Sequence, residues 1–132
     1  MRPSPFQLHR GDPYILIVDD ELPVLEVTRA MAASLGWQPL LANTPEHALT
    51  LFHEHATSIG HVLVDLHMPG LGGTALAHAL RDIRPDVHIE LMTGDETGSD
   101  RLRGDRLVDG VLIKPFVLAE LELALESRAR AA

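Results

Sequence analysis

Four short apolar runs, each closed by a residue suited to phosphate or metal chemistry, set the tightest limit on how this chain folds. Tyr14-Ile15-Leu16-Ile17-Val18 runs into Asp19-Asp20-Glu21, and His61-Val62-Leu63-Val64 runs into Asp65 with Met68-Pro69-Gly70 just beyond. Ile89-Glu90-Leu91-Met92 runs into Thr93-Gly94, and Val111-Leu112-Ile113 into Lys114-Pro115-Phe116. Runs of this length read as buried strands, and segments of helical period lie between them. Strand and helix in alternation predict a parallel sheet with right-handed crossovers. In open parallel sheets ligands bind at the carboxyl edge. That edge would gather three carboxylates, a hydroxyl and an ammonium, a set suited to a divalent cation and a phosphoryl group.

Residues 1–12 show no periodicity and read as a lead-in, with 13–130 as one domain. The first strand covers about 14–19. Pro23 suits the first turn of a helix running to about Leu35, with Val24, Val27, Met31 and Leu35 on its inner face and Gly36 ending it. A second strand is expected over Gln38–Ala42. Thr44 caps the next helix before Pro45, with Ala48, Leu51, Phe52 and His55 along its inner edge. After the third strand a Pro/Gly loop (69–73) leads into a helix to Arg84, with Leu76, Leu80 and Ile83 inward, and Asp86 opens the turn to the fourth strand. The stretch 94–110 holds Gly94, Gly98, Gly104 and Gly110, so its helix is expected to be short and mobile. A final helix is expected over about 117–130, with Val117, Leu121, Ala124 and Leu125 facing the sheet. The expected fold is α/β, a three-layer sandwich of five parallel strands and five helices.

Composition narrows the function. The 132 residues suffice for one domain with its own core, and 45% are hydrophobic. The absence of cysteine excludes disulfides and thiolate chemistry. A net charge of −8 with no basic cluster argues against nucleic acid as a partner. No stretch has signal-peptide or membrane-span character, so the expected location is the cytoplasm, without a membrane partner. The eight histidines are scattered and read as surface residues; His53 and His55, two apart on a helix, do not share a face.

Asp19, Asp20 and Asp65 cannot share a pocket unaided. Two unit charges about 4 Å apart repel by roughly 4 kcal/mol at an effective dielectric near 20. Either a cation enters or some of the acids take up protons. Magnesium suits an all-oxygen site that keeps waters and a phosphate oxygen. Lys114 supplies a fixed positive charge for phosphoryl oxygens, Thr93 a hydroxyl donor, and Gly94 room for the backbone to approach. A carboxylate in such a setting can attack a phosphoryl group and become an aspartyl phosphate.

Asp-Asp-Glu, Asp-x-x-Met-Pro-Gly, Thr-Gly and Lys-Pro-Phe, in this order and each at a strand end, resemble the receiver domain of bacterial two-component response regulators over about residues 13–128. The resemblance implies a flavodoxin-like strand order 2-1-3-4-5. It makes Asp65 the phosphoacceptor, and Asp20 and Asp65 direct magnesium ligands. Asp19 then acts mainly through water, and the backbone carbonyl of His67 completes the protein ligands. Thr93 and Lys114, beside Gly94, hold the phosphoryl group, and a cis peptide precedes Pro115. The side chains of His67 and Asp95 border the site and influence hydrolysis. The phosphoryl donor is a phosphohistidine on a histidine kinase or a histidine phosphotransfer protein, and the domain is no conventional turnover enzyme.

Three departures bear on output. Val111 stands where the family carries an aromatic switch residue acting with Thr93, Gly72 replaces a customary polar residue, and 94–110 is rich in glycine. Activation is therefore expected to reorganise mainly 94–110, with the fifth strand nearly passive. Only 17 residues follow Pro115, which fits a stand-alone regulator or a receiver of a hybrid histidine kinase. Two other classes compare less well. Phosphatases of the haloacid-dehalogenase type carry a second Asp two residues after the nucleophile, where this chain has His67. Pseudo-receivers, which bind partners without phosphorylation, usually lose an acid or the lysine, and here all are present.

Overall fold

Central strands of a parallel sheet are covered on both faces, which is why they are apolar throughout instead of alternating. β1 (Tyr14–Val18), β3 (Ile59–Asp65) and β4 (His88–Thr93) fit this, being buried along almost their full length. β2 (Gln38–Ala42) and β5 (Gly110–Ile113) form the edges and are more exposed. All five pair in parallel in the order β2-β1-β3-β4-β5, as the resemblance implied. The computed structural model describes residues 14–94 and 107–131, with side chains as far as Glu126. The expected helix within 94–110 falls on residues 95–106, outside that description.

The described helices are α1 (Leu22–Ser34), α2 (Pro45–Glu54), α3 (Gly72–Ile83) and α4 (Leu118–Ala131). α2 and α3 cover one face, where Ala48, Phe52, Leu76 and Leu80 pack on Leu16, Val62, Val64 and Leu91. α1 and α4 cover the other, where Leu25, Ala32, Leu121 and Leu125 pack on Ile15, Ile17, Leu63 and Met92. The result is a three-layer sandwich whose strand ends emerge together. Thr44 caps α2 by accepting the N–H of His47 at 3.1 Å, and Gly36, at φ 97°, ends α1 in a conformation open to glycine. Among the described residues, no helix is long and apolar enough to cross a membrane.

Three expectations need correction. The inner face of α1 runs through Leu25, Thr28 and Ala32, while Val27 is 57% exposed. A polar residue sits in the buried stripe because the Thr28 hydroxyl donates to the carbonyl of Val24 at 2.9 Å, and that local bond hides the true phase from a hydrophobicity count. Val117 is 61% exposed and precedes α4. Its N–H donates to the Glu120 carboxylate at 2.9 Å, the reach-back half of a capping box, so it starts the helix without joining the core. Finally, His61 and His88 are buried within strands and are not surface residues.

Candidate functional site

Each site residue stands at the carboxyl end of a strand or just past it. Asp19 follows β1 and is fully buried, and its N–H donates to the carbonyl of Ala42 at 3.2 Å. Its Oδ1 accepts the N–H of Glu21 at 3.0 Å and its Oδ2 accepts from Lys114 Nζ at 2.9 Å. Asp20, next in the chain, is exposed. Asp65 ends β3 and is buried; the N–H of Leu66 donates to the carbonyl of Met92 at 2.8 Å, so pairing persists just past the acid. Asp65 Oδ1 lies 3.4 Å from Lys114 Nζ and accepts the N–H of His67 at 3.4 Å.

Asp19, Asp20 and Asp65 can each offer a carboxylate oxygen within 4.8 Å of the others. An all-oxygen donor set of this kind fits magnesium or another hard divalent cation. Lys114 reaches the group from β5, where its N–H donates to the carbonyl of Thr93 at 2.7 Å and the Lys114–Pro115 peptide is cis. Thr93 is buried at the end of β4, paired with Ile113. Gly94 beyond it is exposed, and a Cβ there would meet no atom within 4 Å. His67 is exposed. Val111 is buried opposite Leu91, in the core under α2 and α3.

Burial pushes the Asp65 carboxyl above its ordinary range and the Asp19 charge pushes the same way, while Lys114 and the His67 N–H pull it partly back. Burial also opposes the charge of Lys114. The hydrogen bond and charge of Asp19, followed by Asp65, outweigh that and hold the ammonium above its usual value. The pocket thus keeps Lys114 charged and makes Asp65 a reluctant anion, a state that a metal ion would relieve.

Sequence reasoning missed Gly73. A Cβ there would stand 2.5 Å from the carbonyl oxygen of Asp65 and 2.7 Å from the Cα of Leu66, so α3 can begin directly against the end of β3 only with glycine. Its signal was the third glycine in Gly70-Leu71-Gly72-Gly73, of which Gly70 and Gly72 adopt φ 82°. Positive φ also rationalises glycine in place of a polar residue at position 72. Glu90, buried in the middle of a strand, was visible in the sequence as a charge inside an apolar run but had no role assigned.

A doubly wound parallel sheet bearing an acidic cluster and a lysine at its carboxyl edge defines a receiver-type α/β domain. The chain belongs to the response regulator receiver domain family, whose pattern matches residues 15–126. It is 32% identical over 114 residues to a probable transcriptional regulator, ycf27, of Guillardia theta, covering 86% of this chain and 44% of that protein. It is 30% identical over 123 residues to the autoinducer 1 sensor kinase/phosphatase LuxN of Vibrio harveyi, covering 90% of this chain and 14% of that one. The chain therefore spans less than half the length of these relatives. Among solved structures, a response regulator receiver domain protein from Clostridium thermocellum is 26% identical with a TM-score of 0.82, covering 89% of this chain and 94% of that one. The response regulator protein TrrA of Thermotoga maritima, solved in complex with Mg(2+)-BeF, is 27% identical with a TM-score of 0.78, covering 87% and 97%.

Proposed function

We propose that this domain accepts a phosphoryl group on Asp65 in a two-component phosphorelay. The observation that carries the reading is the convergence of Asp19, Asp20 and Asp65 within 4.8 Å, with Lys114 Nζ 2.9 Å from Asp19 and 3.4 Å from Asp65. A carboxylate oxygen of Asp65 attacks phosphorus, the bond from phosphorus to the donor imidazole nitrogen breaks, and that nitrogen keeps the electron pair. Lys114 and Thr93 hold the phosphoryl oxygens. Asp20, Asp65, the backbone carbonyl of His67 and, through water, Asp19 would hold magnesium, which supplies positive charge to the transferring group.

The donor on this reading is a histidine kinase or a histidine phosphotransfer protein. Exposed apolar side chains flank the site in the chain: Leu22 two residues past Asp20, and Val117 and Leu118 just past Lys114. They offer a docking partner apolar contact beside the acceptor. The domain acts in the cytoplasm, changes state once per phosphoryl group received, and loses the group by its own hydrolysis without turning over a substrate. Intact-mass spectrometry with magnesium and acetyl phosphate tests the chemistry, and a phosphorylated histidine phosphotransfer protein tests the donor. One added phosphoryl group on the wild type and none on Asp65→Asn supports the reading. Labelling that survives Asp65→Asn or chelation overturns it.

A further inference from the structure

β5 is four residues long, yet it alone carries Lys114 to the site. A strand so short has few ladder bonds to fix its register, and a slip of one residue turns every side chain to the opposite face. The amino end of β5, remote from the acids, holds a set of polar groups for which phosphoryl transfer has no use. Asp109 is bonded twice to a single residue of β4: its N–H donates to the carbonyl of Ile89 at 2.7 Å, and its Oδ2 accepts the N–H of Ile89 at 2.8 Å. The same oxygen accepts from Arg81 at 3.2 Å and lies 3.8 Å from His88 Nδ1.

Gly110 follows, opposite Glu90 in the register. The Glu90 carboxylate fills the space a side chain at 110 would need: a Cβ there would stand 2.8 Å from Oε1 and 2.9 Å from Cδ. Glu90 cannot swing aside cheaply. Its side chain is 6% exposed and its Oε1 accepts from His88 Nε2 at 3.0 Å, so leaving would strand a buried carboxylate and a buried imidazole together. The His88 ring in turn packs 4.6 Å from that of His61, whose Nε2 donates to the carbonyl of Leu125 in α4 at 3.0 Å.

We infer that Asp109, Gly110, Glu90 and His88 form a register lock on β5 that presents Lys114 to the acidic cluster about 13 Å further along the strand. They are positioning residues, and their role in transfer rests on the proposed function of Lys114. The lock predicts a split between two properties of the site. The acids that hold magnesium come from the ends of β1 and β3, so disturbing β5 moves Lys114 and leaves the metal ligands in place.

The test compares Gly110→Ala, Asp109→Ala and the double variant Gly110→Ala with Glu90→Ala against the wild type. Magnesium affinity is measured by calorimetry, labelling of Asp65 by acetyl phosphate, and protection of the Lys114 amide by NMR hydrogen exchange. Gly110→Ala is expected to slow labelling by at least about tenfold, given that misplacement near 1 Å can cost about a hundredfold. Magnesium affinity does not fall with it, because withdrawing the ammonium from Asp19 and Asp65 removes a competing positive charge, and the Lys114 amide loses protection. Removing the Glu90 carboxylate in the double variant clears the niche and restores labelling and protection in part, with the Asp109–Ile89 bonds still in place. If Gly110→Ala does not fold, Asp109→Ala, which keeps the niche and removes the side-chain bonds to Ile89 and Arg81, shows the same split more weakly. The lock is overturned if labelling and magnesium affinity fall together, if Lys114 protection is unchanged, or if the double variant gives no recovery. A wild type that takes no label defeats the proposed function instead, and the amide protection still decides the lock.

Discussion

Lys114 sits closer to Asp19, at 2.9 Å, than to Asp65, at 3.4 Å. The ammonium therefore serves first as counter-ion to the fully buried acid of β1 and only second as neighbour of Asp65.

Lys114→Met should destabilise the metal-free domain, because Asp19 would be left as a buried charge without its partner. Breaking a buried pair costs about 3–5 kcal/mol. Lys114 keeps 17% exposure, so a loss nearer about 2–3 kcal/mol is expected. Magnesium should recover part of it, and denaturant melts with and without the ion check both points. The lysine is held above its ordinary pKa, so the pair's contribution is complete below pH about 10.5 and fades as pH rises through the folded-state value.

Asp65→Asn should behave oppositely. The carboxyl of Asp65 titrates above its ordinary 3.8 in the folded state, so the fold prefers it protonated. That preference stabilises the protein below pH about 4 and is lost as pH rises through the raised value, leaving the ionised acid a liability at neutrality. The neutral isostere should raise the melting temperature of the metal-free protein at pH 7, and the gain should shrink on acidification. An Asn variant that melts lower at pH 7 would contradict this account.

Asp20→Ala should separate metal binding from folding. Asp20 is exposed and contributes charge to the cluster. Its loss is expected to weaken magnesium by more than about tenfold, while the metal-free domain stays as stable or gains, since a like charge is removed. Unchanged affinity in a calorimetric titration would remove Asp20 from the ligand set.

Two glycines beside the site should differ sharply. Gly73→Ala drives a Cβ into the carbonyl oxygen of Asp65, which is backbone and cannot turn aside, and should cost about 1–3 kcal/mol. Gly94→Ala meets nothing within 4 Å and should stay within about 0.5 kcal/mol of the wild type. Thermal melts of the two variants side by side decide the matter.

What could be read from the sequence was what depends on a residue and its immediate neighbours. Asp19, Asp65, Thr93 and Lys114 each follow an apolar run, so placing the strands placed the acids and the lysine, and the strand order came with the family resemblance. The misreadings share a physical cause: a polar group made acceptable by a partner that chain order does not reveal. Thr28 hides in α1 by bonding Val24, and Val117 is held at the start of α4 by Glu120. His88 is tolerated inside a strand because Glu90, two residues on, accepts from it, while the strand pairing sets Gly110 beneath that carboxylate. His61 needed a carbonyl of α4, 64 residues away.

The bond from Lys114 to Asp19 closes a loop of 95 residues, and the pocket draws on the ends of four strands. Contacts so distant along the chain form only when most of the sheet has assembled. A chain that stops before β5, as one still emerging from a ribosome does, lacks the ammonium that balances its acids. Capture of a phosphoryl group by Asp65 would then report completed folding, which makes labelling a refolding probe specific for the finished native state.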